Sequence, residues 1–477
     1  MSDGLRLLTA LETPLLPLLR PRSGDWLHLP SHGRGRALPG SMRRLLNGPA
    51  GSWDLPELPQ IGGPLESDGA VAASQAAAAE AYGAERCWYG VNGATGLLQA
   101  ALLAMASPGQ AVLMPRNVHR SLIQACVLGG ITPVLFDLPF LADRGHVAGL
   151  DAAWLERVLL ALESLPLAVV GAVLVQPTYH GYAVDPQPMV KALQARELPV
   201  LVDEAHGSHL LAGVDPQLPQ SALHAGADLV VHSLHKSSTA LGQSAVLWCQ
   251  GRRIDPEQVD RSLGWLQTSS PSALLLASCE ASLADWQMTK GRARLRRRLD
   301  QGRALQARLR RAGVPLLSTT DPLRLILHTA AAGLSGLEVD HWMMQRGVVA
   351  ELPEPGCLTF CMGFARHRGF ARRIVGAWRR LSRNHAPEAP LPSFMPPPLP
   401  LLSTPTVACG EAWRAESRMV DWPDAVGSLS SQLVCPYPPG IPLLIPGERL
   451  DRDRVSWIMQ QRQFWPDQIS SKVRIVA

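Results

Sequence analysis

Between residues 70 and 250 the chain alternates short apolar runs with longer stretches of helical spacing. Runs of strand length lie at 88–91, 111–114, 132–136, 167–175, 199–202, 229–231 and 245–249, most of them ended by polar residues. Residues 70–82 (alanine-rich), 95–105 and 119–128 have the pattern of helices. Apolar strands alternating with helices predict a largely parallel sheet covered on both faces. In such a sheet, chemistry collects beyond the carboxyl ends of the strands.

The flanks read differently. Residues 1–50 form an arm containing the basic run Leu-Pro-Ser-His-Gly-Arg-Gly-Arg at 29–36, and 51–285 form the large domain. Residues 286–383 hold a connecting helix and a small domain. Within them the arginine-rich stretch 291–311 carries Leu295, Leu299, Leu305 and Leu309 at helical spacing. Without interleaved aromatics it reads as a solvated helix face and not as a nucleic-acid binder. Eight prolines in 384–405, including Pro396-Pro397-Pro398, mark a linker too proline-dense for a packed element, and 406–477 make a C-terminal domain.

Composition narrows the class. A chain of 477 residues with 46% hydrophobic and 18% charged content has ample material for a core. This excludes a mainly disordered chain and a disulfide-stapled miniprotein. A net charge of +5 makes no case for nucleic acid. No apolar run approaches the ~20 residues of a membrane span, and the first 22 residues lack a basic start and cleavage site. A soluble, cytoplasmic protein is expected. The eight cysteines are scattered without CxxC pairs and read as reduced, mostly buried thiols. Cys357 and Cys361 are the closest pair, with no partner at zinc-like spacing, so no metal site is expected.

Arginine has replaced lysine almost everywhere: Lys191, Lys236, Lys290 and Lys472 are the four lysines. A guanidinium cannot form a Schiff base at neutral pH, so lysine chemistry has few places to occur. One lysine stands in a telling position. The apolar strand Val200-Leu201-Val202 ends in Asp203-Glu204-Ala205-His206, and 30 residues later Val230-Val231 runs into His232-Ser233-Leu234-His235-Lys236. A lysine and a carboxylate at neighbouring strand ends suit pyridoxal 5'-phosphate (PLP): the lysine holds the cofactor aldehyde as an imine, and the carboxylate keeps the ring nitrogen protonated. Asn92-Gly93-Ala94-Thr95-Gly96, between strand and helix, offers backbone N–H groups and a hydroxyl to a phosphate, or is a simple helix cap. His119, in Arg116-Asn117-Val118-His119-Arg120-Ser121, either stacks on a ring or caps and packs the next helix.

These runs, with Thr268-Ser269-Ser270-Pro271-Ser272, resemble the signature segments of the Orn/Lys/Arg decarboxylase family. The resemblance extends to Thr13-Pro14-Leu15-Leu16, to Gln176-Pro177-Thr178-Tyr179-His180-Gly181 and to Pro436-Tyr437-Pro438-Pro439-Gly440-Ile441-Pro442 with Pro446-Gly447-Glu448. It implies an α/β fold: an aspartate-aminotransferase-like (fold type I) large domain with a mostly parallel sheet, plus smaller α+β C-terminal domains. It implies the short form of the family, without the N-terminal wing domain, and α-decarboxylation of arginine, lysine or ornithine to the amine, a step of polyamine biosynthesis.

Carried over by resemblance, Lys236 bears the imine, Asp203 pairs with the ring nitrogen, His119 stacks on the ring and His206 lies beside it. Thr95, the backbone at Ala94, Ser233 and His235 hold the phosphate. Ser270 reaches the phosphate of a neighbouring subunit, making a homodimer the minimum unit. Three positions depart from the family pattern. Pro30-Ser31-His32-Gly33-Arg34-Gly35 lacks the usual lysine, whose charge Arg34 replaces. Ala94 stands for a serine, and Arg120 for a lysine. His32, Arg34, Glu448, Glu351 and Glu354 are candidates for substrate contact, the three glutamates also for structural ion pairs. An aminotransferase or oxoamine synthase would share Asp203 and Lys236, but those enzymes commonly lack a histidine directly before the lysine. A silent homologue used for regulation or nucleic-acid binding is the reading from a different class.

Overall fold

The computed structural model describes residues 25–365, 369–384, 389–436, 441–467 and 469–477. The side chains of Asp25 and Trp26 are not among them. The family-like runs at 13–16 and 437–440 lie outside the described residues.

Seven strands of the large sheet come from one continuous stretch of the chain: β1 Arg86–Gly90, β2 Ala111–Pro115, β3 Thr132–Phe136, β4 Val169–Val175, β5 Val200–Asp203, β6 Leu229–Ser233 and β7 Ala245–Cys249. Three strands of the small domain follow, β8 Arg324–Leu327, β9 Leu352–Pro353 and β10 Leu358–Cys361, and then β11 Leu402–Ser403. The large sheet has the order β11-β3-β2-β4-β5-β6-β7-β1. The run β3-β2-β4-β5-β6 is parallel, while β7 and β11 are antiparallel to their neighbours. Strands buried on both faces need apolar side chains throughout, as in the fully buried β2, β6 and β7.

Each face of the sheet has its own apolar core, one built around Tyr89, Leu113, Val202 and Trp248, the other around Trp88, Met114, Leu201 and Leu247. Alternation of side chains along the strands puts these neighbours on opposite faces. The small domain packs β8, β10 and β9 around Phe360 and Leu325, and the C-terminal domain has its own core around Trp422, Leu444 and Ile458.

One sequence expectation meets a different structure. The proline-rich segment is not wholly a free linker: Leu402 and Ser403 pair antiparallel with Phe136 and Leu135 as the sheet edge. Proline is tolerated at an edge, where one side of the strand needs no donor. The arginine-rich stretch is the expected helix, Thr289–Arg311, with Leu295, Leu299 and Leu309 buried and Arg296, Arg297, Arg308, Arg310 and Arg311 exposed. Several of its arginines are engaged within the chain: Arg298 Nε donates to the Gly363 carbonyl at 2.6 Å, and Arg294 and Arg303 pair with Asp285 and Asp215. No helix among the described residues is long and apolar enough to cross a membrane.

Candidate active site

Strands β5 and β6 bring the two halves of the site together. They pair in parallel with Asp203 opposite Val231, so both chains leave the sheet at one edge. Asp203 and Glu204 then diverge. Asp203 stays on the site side, its carboxylate receiving the Ala205 N–H at 3.1 Å. Glu204 turns inward and is fully buried, taking bonds from the Ala222 N–H, the Ser221 hydroxyl and His232 Nε2, the last at 2.6 Å. The Trp248 indole donates to His232 Nδ1 at 2.9 Å, which fixes the proton on the nitrogen facing Glu204.

Beyond β6 a single helical turn, Leu234–Ser237, carries His235 and Lys236. Lys236 Nζ lies 3.2 Å from His206 Nε2, and His206 Nδ1 lies 3.0 Å from Nη2 of the fully buried Arg324. A guanidinium only donates, so Nδ1 must be the acceptor and Nε2 carries the proton. Burial holds the His206 imidazolium well below its ordinary range, with the Lys236 and Arg324 charges adding to it. The neutral ring can therefore donate to Lys236 Nζ when that group is the free amine. Burial pushes the Lys236 ammonium in the same direction, partly opposed by the Asp203 carboxylate.

His119 is the N-cap of the helix Arg120–Gly129: its Nδ1 lies 2.8 Å from the Ser121 hydroxyl and accepts the Ser121 N–H at 3.3 Å. The capping alternative thus holds, and the ring is still close enough to feel Asp203 and Lys236 in addition to the burial that lowers it. Ala94 and Thr95 open the helix Gly93–Met105, where the Asn92 side chain makes no cap bond. That helix start is tied to the lysine loop: the Gly93 N–H donates to Gln243 at 2.8 Å, and the next carbonyl, Ser244, receives the Leu234 N–H and His235 Nδ1. Ser233 is buried at the end of β6. Ser270 sits on an exposed loop with its hydroxyl 3.3 Å from that of Thr268.

The segment carrying His32 and Arg34 docks on the lysine turn. The Ser31 N–H donates to the His235 carbonyl at 2.9 Å, and the Ser31 hydroxyl bonds the Lys236 carbonyl. The close fit explains one departure from the family pattern. Gly33 has φ +56°, and a Cβ there would lie 2.5 Å from that of Ala365, so a lysine is disfavoured.

The three glutamates separate. Glu351 accepts from the Tyr179 hydroxyl at 2.7 Å and the Leu29 N–H at 2.8 Å, and its charge reaches Lys236 and His235. Glu354 binds His180 at 2.7 Å. Glu448 is not a substrate-facing group: it pairs with fully buried Arg116 at 2.5 Å and with Arg454 at 3.4 Å, fastening the C-terminal domain to the sheet. The sequence assigns no role to Arg324 or Tyr179, and no spacing marks Arg324 among so many arginines. Tyr179 lies within the family-like run 176–181 and meets His206 edge-on at 4.8 Å.

The fold and the site define a type-I-fold enzyme architecture, and comparison with known proteins narrows it. The chain belongs to the Orn/Lys/Arg decarboxylase family, a family of carboxy-lyases: residues 27–319 match its major domain and 395–465 its C-terminal domain. It is 30% identical to the arginine decarboxylase of Halalkalibacterium halodurans over 91% of this chain and 90% of that one. Lysine decarboxylase A from Pseudomonas aeruginosa shares the fold with a TM-score of 0.73 at 17% identity, covering 89% of this chain and 74% of that one. A structure of SPT with PLP aligns with a TM-score of 0.57 at 16% identity over 76% of this chain and 88% of that one.

Proposed function

We propose that this chain decarboxylates a basic amino acid with PLP, releasing the amine and carbon dioxide. Arginine comes first, because the full-length relative is named for it. The observation that carries the reading is the buried amine of Lys236, 3.2 Å from His206 Nε2 at a strand end next to that of the Asp203 carboxylate. When bound, PLP supplies an aldehyde that captures an amine and a ring that takes up the electron pair freed at Cα.

The residues present fit such a group. Lys236 is the point of attachment, and its burial favours the unprotonated form that attack requires. Asp203 holds a proton at the ring nitrogen, stabilising charge that develops only as carbon dioxide leaves. The uncapped N–H groups at Ala94 and Thr95, the Thr95 hydroxyl, Ser233 and His235 cradle the phosphate at a helix start. His119 would cover one ring face, with His206 alongside. Glu351, next to the segment bearing His32 and Arg34, is the carboxylate best placed to meet a cationic side chain. Ser270, exposed in one chain, completes the phosphate site of a second copy, so the working unit is a homodimer. Full activity of a monomer in sedimentation would contradict that part.

The expected result with added PLP is a visible absorbance that borohydride reduction fixes covalently, with mass spectrometry locating the label on Lys236. A label on Lys191, Lys290 or Lys472, or no label, would overturn the assignment.

A further inference from the structure

A second cluster of chemically capable side chains lies on the other side of Tyr179. His146 comes from the two-residue strand His146–Val147, His180 from the loop after β4, and Glu354 and Cys357 from the hairpin joining β9 to β10. All four are buried, and their donor atoms lie within 4.8 Å of one another. The Cys357 sulfur is 3.3 Å from Glu354 Oε2 and 3.8 Å from His146 Nδ1, and Glu354 Oε2 is 2.7 Å from His180 Nε2. Four donors around a zinc ion at ordinary bond lengths stand about 3.3–3.6 Å apart, so small side-chain adjustments suffice.

We propose that His146, His180, Glu354 and Cys357 form a buried structural site for one divalent transition metal, zinc by its ligand set. Two imidazoles, a carboxylate and a thiolate satisfy four-coordinate zinc, and two anionic ligands neutralise its charge in a buried place. Binding displaces the Cys357 thiol proton to solvent. The surroundings support the ligands as outer-shell groups do: the Tyr182 hydroxyl takes the His146 Nε2 hydrogen at 3.0 Å and is itself held by Arg144 at 3.2 Å, leaving Nδ1 for the metal. The backbone brings the hairpin in close. A Cβ on Gly356 would lie 2.2 Å from the Arg144 carbonyl oxygen, so glycine is required for Cys357 to approach His146.

Such an ion would clip the small-domain hairpin to two loops of the large domain. One of these carries Tyr179, next to His180 in the chain and bonded to Glu351. The site does not depend on the proposed reaction.

The test is titration of the chelator-treated full-length protein with cobalt(II) alone, then zinc competition and metal analysis after gel filtration. One cobalt per chain is expected, with a thiolate-to-cobalt charge-transfer band and the visible spectrum of a four-coordinate ion, both erased by stoichiometric zinc. Cys357→Ser should abolish the charge-transfer band, and His146→Gln should weaken binding by more than about tenfold, the low end of what losing even an outer-shell partner costs. Wild-type protein that takes up no stoichiometric metal overturns the proposal whatever the variants do. So does a charge-transfer band that survives in Cys357→Ser.

Discussion

At the scale of single residues, the decisive feature is how a lysine is kept reactive. Arg324 occupies one nitrogen of His206, which leaves the other to donate to Lys236. A guanidinium two groups away thus orients the ring that meets the amine, and burial lowers the ammonium's hold on its proton. His235 is subject to the same pressure. Burial lowers its imidazolium from 6.5 to about 4, against a smaller opposing effect of the Ser244 carbonyl. Between pH 6.5 and 4 the unfolded chain binds a proton at this position and the folded chain does not. Stability is therefore undiminished above about pH 6.5 and falls as the pH drops through that window, by about 3 kcal/mol from this group alone. His206 and His146 act with the same sign. His235→Asn should remove roughly one proton's worth of that slope, read as the change in urea midpoint between pH 7 and pH 5. An unchanged slope would show that His235 does not titrate as its burial requires.

At the scale of elements, strands were legible because a buried parallel sheet demands unbroken apolar runs. The spans 132–136 and 245–249 coincide with β3 and β7, and the parallel class follows from their alternation with helices. Strand direction at the margins was not legible: nothing in 245–249 marks β7 as antiparallel. Nor could composition reveal that two residues after a proline run would close the sheet edge. Contacts between distant elements were equally hidden. Glu448 looked like a possible substrate carboxylate, whereas it neutralises Arg116 some 332 residues earlier in the chain. Removing one member of a buried pair strands the other, at a cost of about 3–5 kcal/mol. Glu448→Gln should accordingly lower the thermal midpoint markedly while leaving KM of the surviving enzyme unchanged. A raised KM with unchanged stability would return Glu448 to the substrate pocket.

At the scale of the whole molecule, the family and fold were readable from motifs because a lysine and an aspartate at adjacent strand ends must recur with a fixed spacing. Asp203, His206, His235 and Lys236 come from two such strand ends and do converge. What the motifs could not supply came from the small domain, which contributes Arg324, Glu351 and the Glu354–Cys357 turn. Those residues meet the large domain only through tertiary packing, and the pair Cys357 and His146 is separated by 211 positions. The lysine scarcity takes on meaning here, since Lys236 is one of four and lies where no arginine could serve. The most direct measurement supplies wild-type protein and Lys236→Ala, each with PLP, with carboxyl-labelled arginine, lysine and ornithine in turn, and follows labelled carbon dioxide and amine together. The expected result is equal release of labelled carbon dioxide and unlabelled amine by the wild type from at least one of the three, arginine first, and none from Lys236→Ala. Label retained in a keto acid, no release from any of the three, or near-normal release by Lys236→Ala would contradict the proposed function.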